Sequence, residues 1–553
     1  MQENGKDITY FAQTNARGKN TPFGIKRKDR ERHMYVIGKT GVGKSTLLEN
    51  MAIQDIRNGE GVAFIDPHGS TAERLLEYIP EHRIKDVVYF APFDMDAPVA
   101  FNIMEDVGYD KRHLVVSGLI TAFKKIWVDA FSARMEYILS NTLLALLEYP
   151  GATMLDVNRM LVEKPFRKKV IDNMTDPIIK KFWTEEFANY SDRYTQEATP
   201  AIQNKVGQFT SNPLIRNIIG QPKSSFDLRQ IMDEKKIIIM NLSKGRIGEV
   251  NAGLLGSMLV TKLYLAAMSR ADTPHLLPGL PSFYFYVDEF QTFANESFAD
   301  ILSEARKYKL NLIIAHQYIE QMEEEVRDAV FGNVGTTIAF RVGPFDAEVL
   351  ETVFQPRFTV SDLVNLGIAQ IYLTLMIDGT GSPPFSASTL PPFDLPPRRF
   401  VPQILAASRT QFGRPRADIE AAIAKWHEPE ARPVHESKPQ PHMESRPRQT
   451  FPGGHRERSN YSPQPKRDAP RPQLHRPPLS GENNLREALT RVTGTPQSGG
   501  HGGGTHAADL KDVLAHVAPT ARAEEPAPAA LPEKVLREML AVDPDMPGDL
   551  GEA

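Results

Sequence analysis

Gly38-Lys39-Thr40-Gly41-Val42-Gly43-Lys44-Ser45 is the stretch on which the reading of this chain turns. It fits the phosphate-loop spacing G-x-x-x-x-G-K-[ST]. The run Met34 to Ile37 before it is apolar and reads as a buried strand, and Thr46 to Ile53 after it reads as a helix with an apolar stripe. Strand, glycine loop and helix in that order are what phosphate binding needs. Glycines let successive backbone N–H groups curl around an anion, and the helix N-terminus adds its dipole. The spacing therefore assigns nucleotide contacts to Gly38, Thr40, Gly41, Val42, Gly43, Lys44, Ser45 and Thr46. Lys44 is expected to reach the β- and γ-phosphates, and Ser45 to hold Mg²⁺.

Hydrolysis needs more than a cradle. Phe283-Tyr284-Phe285-Tyr286-Val287 is an apolar run ending in Asp288-Glu289, the Walker B pattern. Asp288 is the expected second metal-holding residue. Glu289 is the expected catalytic carboxylate that polarises the attacking water. A further buried run, Asn311 to Ala315, ends in His316-Gln317, which places an amide where it can sense the γ-phosphate. Arg306 lies between these two strands and is the candidate for stabilising transition-state charge in a neighbouring subunit's site, with Arg341 as its rival. The guanine-specificity string Asn-Lys-x-Asp is not present; Asn204-Lys205-Val206-Gly207 lacks the Asp. ATP with Mg²⁺ is thus the expected ligand pair.

The chain has 553 residues, enough for two or more domains. Its formal charge is −4, so any nucleic-acid surface must be local rather than global. With no cysteine, thiolate nucleophiles, Cys-held metals and disulfides are excluded. Leu254 to Met268 is apolar but contains Lys262 and is too short to span a bilayer, so it reads as a buried helix. With no transmembrane segment read, a cytoplasmic location is expected.

Eight short runs read as strands: Met34–Ile37, Val62–Ile65, Val87–Phe90, Lys236–Met240, Phe283–Val287, Asn311–Ala315, Thr336–Phe340 and Gln370–Met376. Most are continuously apolar, as parallel strands covered on both faces must be. Between Gly108 and Pro222 helical periodicity replaces them. The expected organisation is an N-terminal extension (1–30), an α/β core in two parts (31–108 and 226–400), an inserted all-α subdomain (109–225) and a disordered Pro/Arg-rich tail (401–553). The tail holds 21 of the 43 prolines, too polar and too stiff a composition to form a core. One helix, Arg416 to His427, is expected at its start. From Ala431 to Ser480, ten Lys or Arg stand against four Asp or Glu, which suits a linker or a loose DNA-capturing arm. Leu485-Arg486-Glu487-Ala488-Leu489, Leu510-Lys511-Asp512-Val513-Leu514 and Leu536-Arg537-Glu538-Met539-Leu540 repeat one pattern that suits short docking helices.

In order along the chain, the phosphate loop, Phe64-Ile65-Asp66-Pro67-His68-Gly69, Val287-Asp288-Glu289-Phe290-Gln291, Glu304-Ala305-Arg306-Lys307-Tyr308, His316-Gln317 and Phe331 to Thr336 form a set. As a set they resemble the HerA/FtsK branch of RecA-like motor ATPases, and most closely the coupling proteins of conjugation and type IV secretion. The resemblance covers roughly His33 to Pro392. It implies a RecA-like P-loop NTPase core of the ASCE class with an inserted all-α domain. It further implies a homohexamer with ATP sites between subunits, DNA in the pore, and a relaxase or secretion-channel components as partners. Such a motor meets the inner face of the membrane through a secretion apparatus. Three other readings share these motifs: a secretion-assembly ATPase that does not act on DNA, a HerA-like DNA-processing translocase, and a nucleotide-switched adaptor. The N-terminal transmembrane helices of many coupling proteins and the β-barrel of HerA-type helicases are not read in this sequence.

Overall fold

The computed structural model describes residues 7–15, 19–127, 131–190, 192–294 and 297–428. The basic arm at 431–480 and the three leucine repeats lie outside the described residues.

The described residues form thirteen strands: β1 (Ile8–Thr14), β2 (Pro22–Lys26), β3 (Met34–Ile37), β4 (Gly61–Asp66), β5 (Val87–Phe90), β6 (Ile237–Asn241), β7 (Phe283–Val287), β8 (Leu310–His316), β9 (Thr336–Ala339), β10 (Gln370–Thr374), β11 (Met376–Ile377), β12 (Thr380–Gly381) and β13 (Phe385–Thr389). Eleven of them make one sheet in the order β2-β1-β13-β10-β9-β3-β8-β7-β4-β6-β5. From β9 to β5 neighbours run parallel; from β9 outward to β2 they run antiparallel. The parallel half has helices on both faces, which makes the core α/β and doubly wound.

Seven of the eight expected strand runs coincide with strands of this sheet to within a residue at either end, and the eighth, Gln370–Met376, divides into β10 in this sheet and β11 in the small β11-β12 sheet. The period of two explains the sorting of side chains. Met34 and Val36 of β3 enter the core beneath α1 (Lys44–Arg57), while Tyr35 and Ile37 enter the core on the opposite face. In β7, Tyr284 and Tyr286 face the α1 side, and Phe283, Phe285 and Val287 face the other.

Among the described residues only helices, turns and loops lie between β5 and β6, the first long helix being Arg112–Ile126 and the next Ala133–Glu148. Their apolar faces join the second core, together with the helix Glu249–Met268. That helix is long and apolar enough to cross a membrane, yet it lies mostly buried inside the fold. Its apolarity reflects packing on the sheet and on Arg112–Ile126.

Two expectations are corrected. Residues 1–30 are not merely an extension, because β1 and β2 continue the sheet past β13. The chain also does not leave the fold at Val401. The helix Val401–Phe412 buries Ile404 completely, and its Ser408 Oγ accepts from the Tyr89 N–H at 2.9 Å. The helix Arg416–Trp426 follows, and Trp426 Nε1 donates to Asp156 Oδ1 at 2.9 Å. Only Ile404 and Ser408 of the first helix and Ile419 of the second are buried, so a boundary drawn from the proline-rich composition that follows takes in both.

A buried ion pair ties the N-terminal strands to the core. Arg30 Nη1 and Nη2 donate to the two Asp55 oxygens at 2.7 and 2.8 Å, and Nη1 also reaches Thr9 Oγ1 at 2.9 Å. The guanidinium lies 3.8 Å from the centre of the Tyr284 ring, and Tyr286 bonds both partners of the pair. Removing one member leaves the other charged in a dry interior. Asp55→Ala is expected to cost about 3–5 kcal/mol, whereas Arg30→Met combined with Asp55→Leu recovers most of it. Equilibrium denaturant unfolding measures both; a loss under about 1 kcal/mol for Asp55→Ala would show that water still reaches the pair.

Candidate nucleotide-hydrolysis site

Because β3, β4, β7, β8 and β9 are parallel, their C-terminal ends share one edge of the sheet. Each end delivers one functional group there. The register sets Ile37 beside both His316 and Ala339, and Ile65 beside both Val287 and Met240. The loop after Ile37 therefore sits between the loops after β8 and β9, one strand removed from Asp288.

The loop itself is shaped by its glycines. Gly43 has φ +118°, in the region that side chains resist, and it precedes the first turn of α1. A Cβ at Gly38 would stand 2.6 Å from Phe340 Cβ, so only a bare backbone passes there. Lys44 is buried and its Nζ donates to the Gly38 and Lys39 carbonyls at 2.6 and 3.1 Å. Burial holds its ammonium below the usual lysine range, with Glu289 and Asp288 pulling the other way. The ammonium is thus folded over the loop on two of its carbonyls.

Ser45 Oγ donates to Asp288 Oδ2 at 2.9 Å. Asp288 is buried at the end of β7, and its carboxyl is pushed up to about 6 by burial and by the nearby Asp66. A hydroxyl bonded to a carboxylate, with a second carboxylate near, is the hard oxygen-donor chemistry that Mg²⁺ accepts. The residues present fit that ion.

Glu289 follows with φ +50° and ψ +53°, a left-handed conformation that a side chain adopts at a cost. Its carboxylate accepts from Gln291 Nε2, and His68 Nε2 lies 3.9 Å from its Oε1. Gln317 projects from the end of β8 and its Nε2 bonds Thr40 Oγ1 in the loop. Before it, His316 is fully buried with Nδ1 3.2 Å from Tyr35 OH, and burial pulls its pKa down to about 3. A neutral ring there anchors the strand end that presents Gln317.

Asp66 is a turn organiser rather than a reacting group. Its carboxylate accepts from the backbone N–H groups of His68, Thr71 and Ala72 at 2.7, 2.9 and 3.0 Å. It fixes the Asp66-Pro67-His68-Gly69 turn and brings His68 towards Glu289.

The two arginines part company. Arg341 follows β9, and its carbonyl accepts from the Lys39 N–H at 2.9 Å, beside the chain's own phosphate loop. Arg306 lies exposed just before β8, at the opposite edge. Seven residues of β8 separate it from Gln317, about 23 Å of strand at ~3.3 Å per residue. Arg306 therefore stands away from the other site residues of its own chain.

Two contacts at this edge had no counterpart in the sequence reading: the Gln291 bond to Glu289, and Lys125 of the helical layer, whose Nζ donates to the Gln291 carbonyl at 2.6 Å. Gln291 lies in the quoted Val287-to-Gln291 stretch. Lys125 carried no signal, because a lysine ending a helix is ordinary.

No curated protein matches the chain. Among solved structures, the bacterial conjugative coupling protein TrwBΔN70 aligns with a TM-score of 0.52 at 14% identity, covering 70% of this chain and 91% of its own. The plasmid coupling protein TrwB in complex with ADP and Mg²⁺ aligns with a TM-score of 0.51 at 14% identity, covering 71% and 97%. TrwB in complex with a non-hydrolysable ATP analogue gives 0.51 at 14% identity, covering 70% and 91%. These likenesses establish the RecA-like P-loop NTPase fold. The family described as the type IV secretion-system coupling protein DNA-binding domain matches residues 21–350, well over half of the chain. With its phosphate loop, Walker B strand and β8 all inside that span, the chain belongs to the family of type IV secretion-system coupling proteins.

Proposed function

We propose that this chain is an ATP-hydrolysing motor that moves DNA, or DNA with a bound relaxase, towards a conjugative or type IV secretion channel, working as a homohexamer. The observation that carries the reading is the division of the site. Lys44, Ser45, Asp288, Glu289 and Gln317 share one edge of the sheet, while Arg306 stands at the other. A ring in which one subunit's Arg306 edge faces its neighbour's phosphate loop completes every site. Membership of the coupling-protein family and the TrwB likeness, whose complexes include ADP with Mg²⁺, support ATP and Mg²⁺ as the ligands. The family's DNA-binding description supports DNA as the partner. On this reading the protein works on the cytoplasmic side, at the inner face of the membrane.

The residues divide the work as follows. The loop N–H groups and Lys44 orient and neutralise the phosphates. Ser45 and Asp288 would hold Mg²⁺, which would supply charge neutralisation to the phosphates. Glu289 orients a water and takes up its proton, Gln317 holds the γ-phosphate in register with that water, and a neighbour's Arg306 offsets charge on the leaving phosphates.

ATP turnover measured with and without single- and double-stranded DNA tests the reading, alongside particle imaging. DNA is expected to raise turnover severalfold and to coincide with six-membered rings. Rings whose turnover ignores both forms of DNA would instead favour a secretion-assembly ATPase.

A further inference from the structure

Lys125 reaches out of the helical layer to the backbone that follows Glu289. It lies in the last turn of the helix Arg112–Ile126, and its Nζ donates to the carbonyls of Gln291 (2.6 Å) and Ala294. These carbonyls belong to the short 3₁₀ turn Phe290–Thr292 and its exit, immediately after Glu289. The same turn is held from a second direction, since Ser257 Oγ of the helix Glu249–Met268 donates to the Phe293 carbonyl at 3.2 Å. Gln291 then folds back. Its Nε2 donates to Glu289 Oε2, while its Oε1 is buried with no partner. One residue thus takes a lysine on its carbonyl and gives its amide to the hydrolytic carboxylate.

The energetics argue against a bland helix-end contact. Burial lowers the Lys125 ammonium to about 8; Glu323 favours its charge and Lys244 opposes it. Taking an ammonium this far out of water to cap two peptide carbonyls is a costly way to hold a turn. Glu289 is itself in a left-handed conformation that its surroundings must enforce. A small displacement of Arg112–Ile126 would pull on the turn and shift the Glu289 carboxylate.

We propose that Lys125 and Gln291 are positioning residues, a direct link through which the helical layer sets where the Glu289 carboxylate stands and so switches hydrolysis. The proposal rests on the ATPase reading above. It makes the helical layer an input to the motor: movement of the layer by bound cargo or by a neighbouring subunit changes turnover without touching the nucleotide.

The test uses the full chain with Lys125→Met, Lys125→Arg, Gln291→Ala and the Lys125→Met/Gln291→Ala double variant. Turnover, KM for ATP, affinity for a fluorescent ATP analogue and the thermal midpoint are measured for each. Misplacing a catalytic group by about 1 Å costs up to ~100-fold, so Lys125→Met and Gln291→Ala are each expected to lower kcat by about tenfold or more. KM and analogue affinity should stay within about twofold of wild type, because the phosphate loop is untouched. Lys125→Arg, which still donates to carbonyls, should restore most of kcat. The double variant should fall no further than the worse single one, as members of one chain do. Wild-type kcat in both single variants, or losses that multiply in the double variant, would overturn the link. Should Lys125→Met fail to fold, Gln291→Ala decides alone by the same kcat criterion. Glu289→Gln run in parallel separates the two levels: if it too turns over ATP normally, the hydrolytic assignment fails and not only the link.

Discussion

Replacing Glu289 with Gln is expected to leave ATP bound and to slow its hydrolysis by about a hundredfold or more. Gln keeps the size of the side chain and can still bond Gln291 and lie beside His68, so the fold is unaffected. What it lacks is a carboxylate to accept the proton of the attacking water. The companion variant separates binding from chemistry. Lys44→Ala removes the ammonium that sits over Gly38 and Lys39, and with it the charge that meets the phosphates. It should lose affinity for ATP itself. Steady-state turnover together with equilibrium binding of a labelled nucleotide distinguishes the two. Near-wild-type turnover in Glu289→Gln would move the general base elsewhere, with Asp288 the remaining carboxylate at the strand end.

Much of this was legible in the sequence because the parallel half of the sheet writes itself in apolar runs. Each such run is followed by a candidate site residue, so finding the strand also locates the candidate. Asp288, Glu289 and Gln317 follow β7 and β8 in this way, and Lys44 follows β3. The antiparallel half was less legible. β1 breaks its alternation at Phe11 and Ala12, both buried beside a register shift, β2 begins with Pro22 and contains Gly24, and β13 is Phe-Ser-Ala-Ser-Thr. β1 and β13 pair with each other across most of the chain, Ala12 with Thr389 for example, and the edge strand β2 pairs with β1 alone, which local propensity does not register. The helix Val401–Phe412 was hidden for a related reason: its anchors are one buried isoleucine and one serine bonded to β5. The Lys125 and Gln291 link was invisible because it joins two backbone carbonyls to a side chain far off in sequence, and no spacing rule encodes that.

The second large effect concerns Arg306 and reports on assembly. Arg306→Ala should bind ATP normally, because every group near the phosphate loop is intact, yet lose turnover by about a thousandfold if the arginine offsets transition-state charge. Loss alone does not say whose site it serves. The structure argues that it is not the chain's own: Arg306 stands before β8 and Gln317 after it, at opposite edges of the sheet. Mixing supplies the test. Lys44→Ala subunits offer an intact Arg306 and a dead phosphate loop, while Arg306→Ala subunits offer the reverse. Where the two meet in the right order, a complete site forms, so mixed rings should regain activity that neither variant has alone. If Arg341 were the residue acting across the interface, Arg306→Ala would keep turnover and Arg341→Ala would show the rescue instead. Arg341 follows β9 beside Lys39 of its own loop, so its loss should not be rescued in trans. Activity in mixed rings containing Arg306→Ala, and none in those containing Arg341→Ala, is the expected pattern. Failure of rescue in rings shown to contain both subunits would reduce Arg306 to a solvated turn residue.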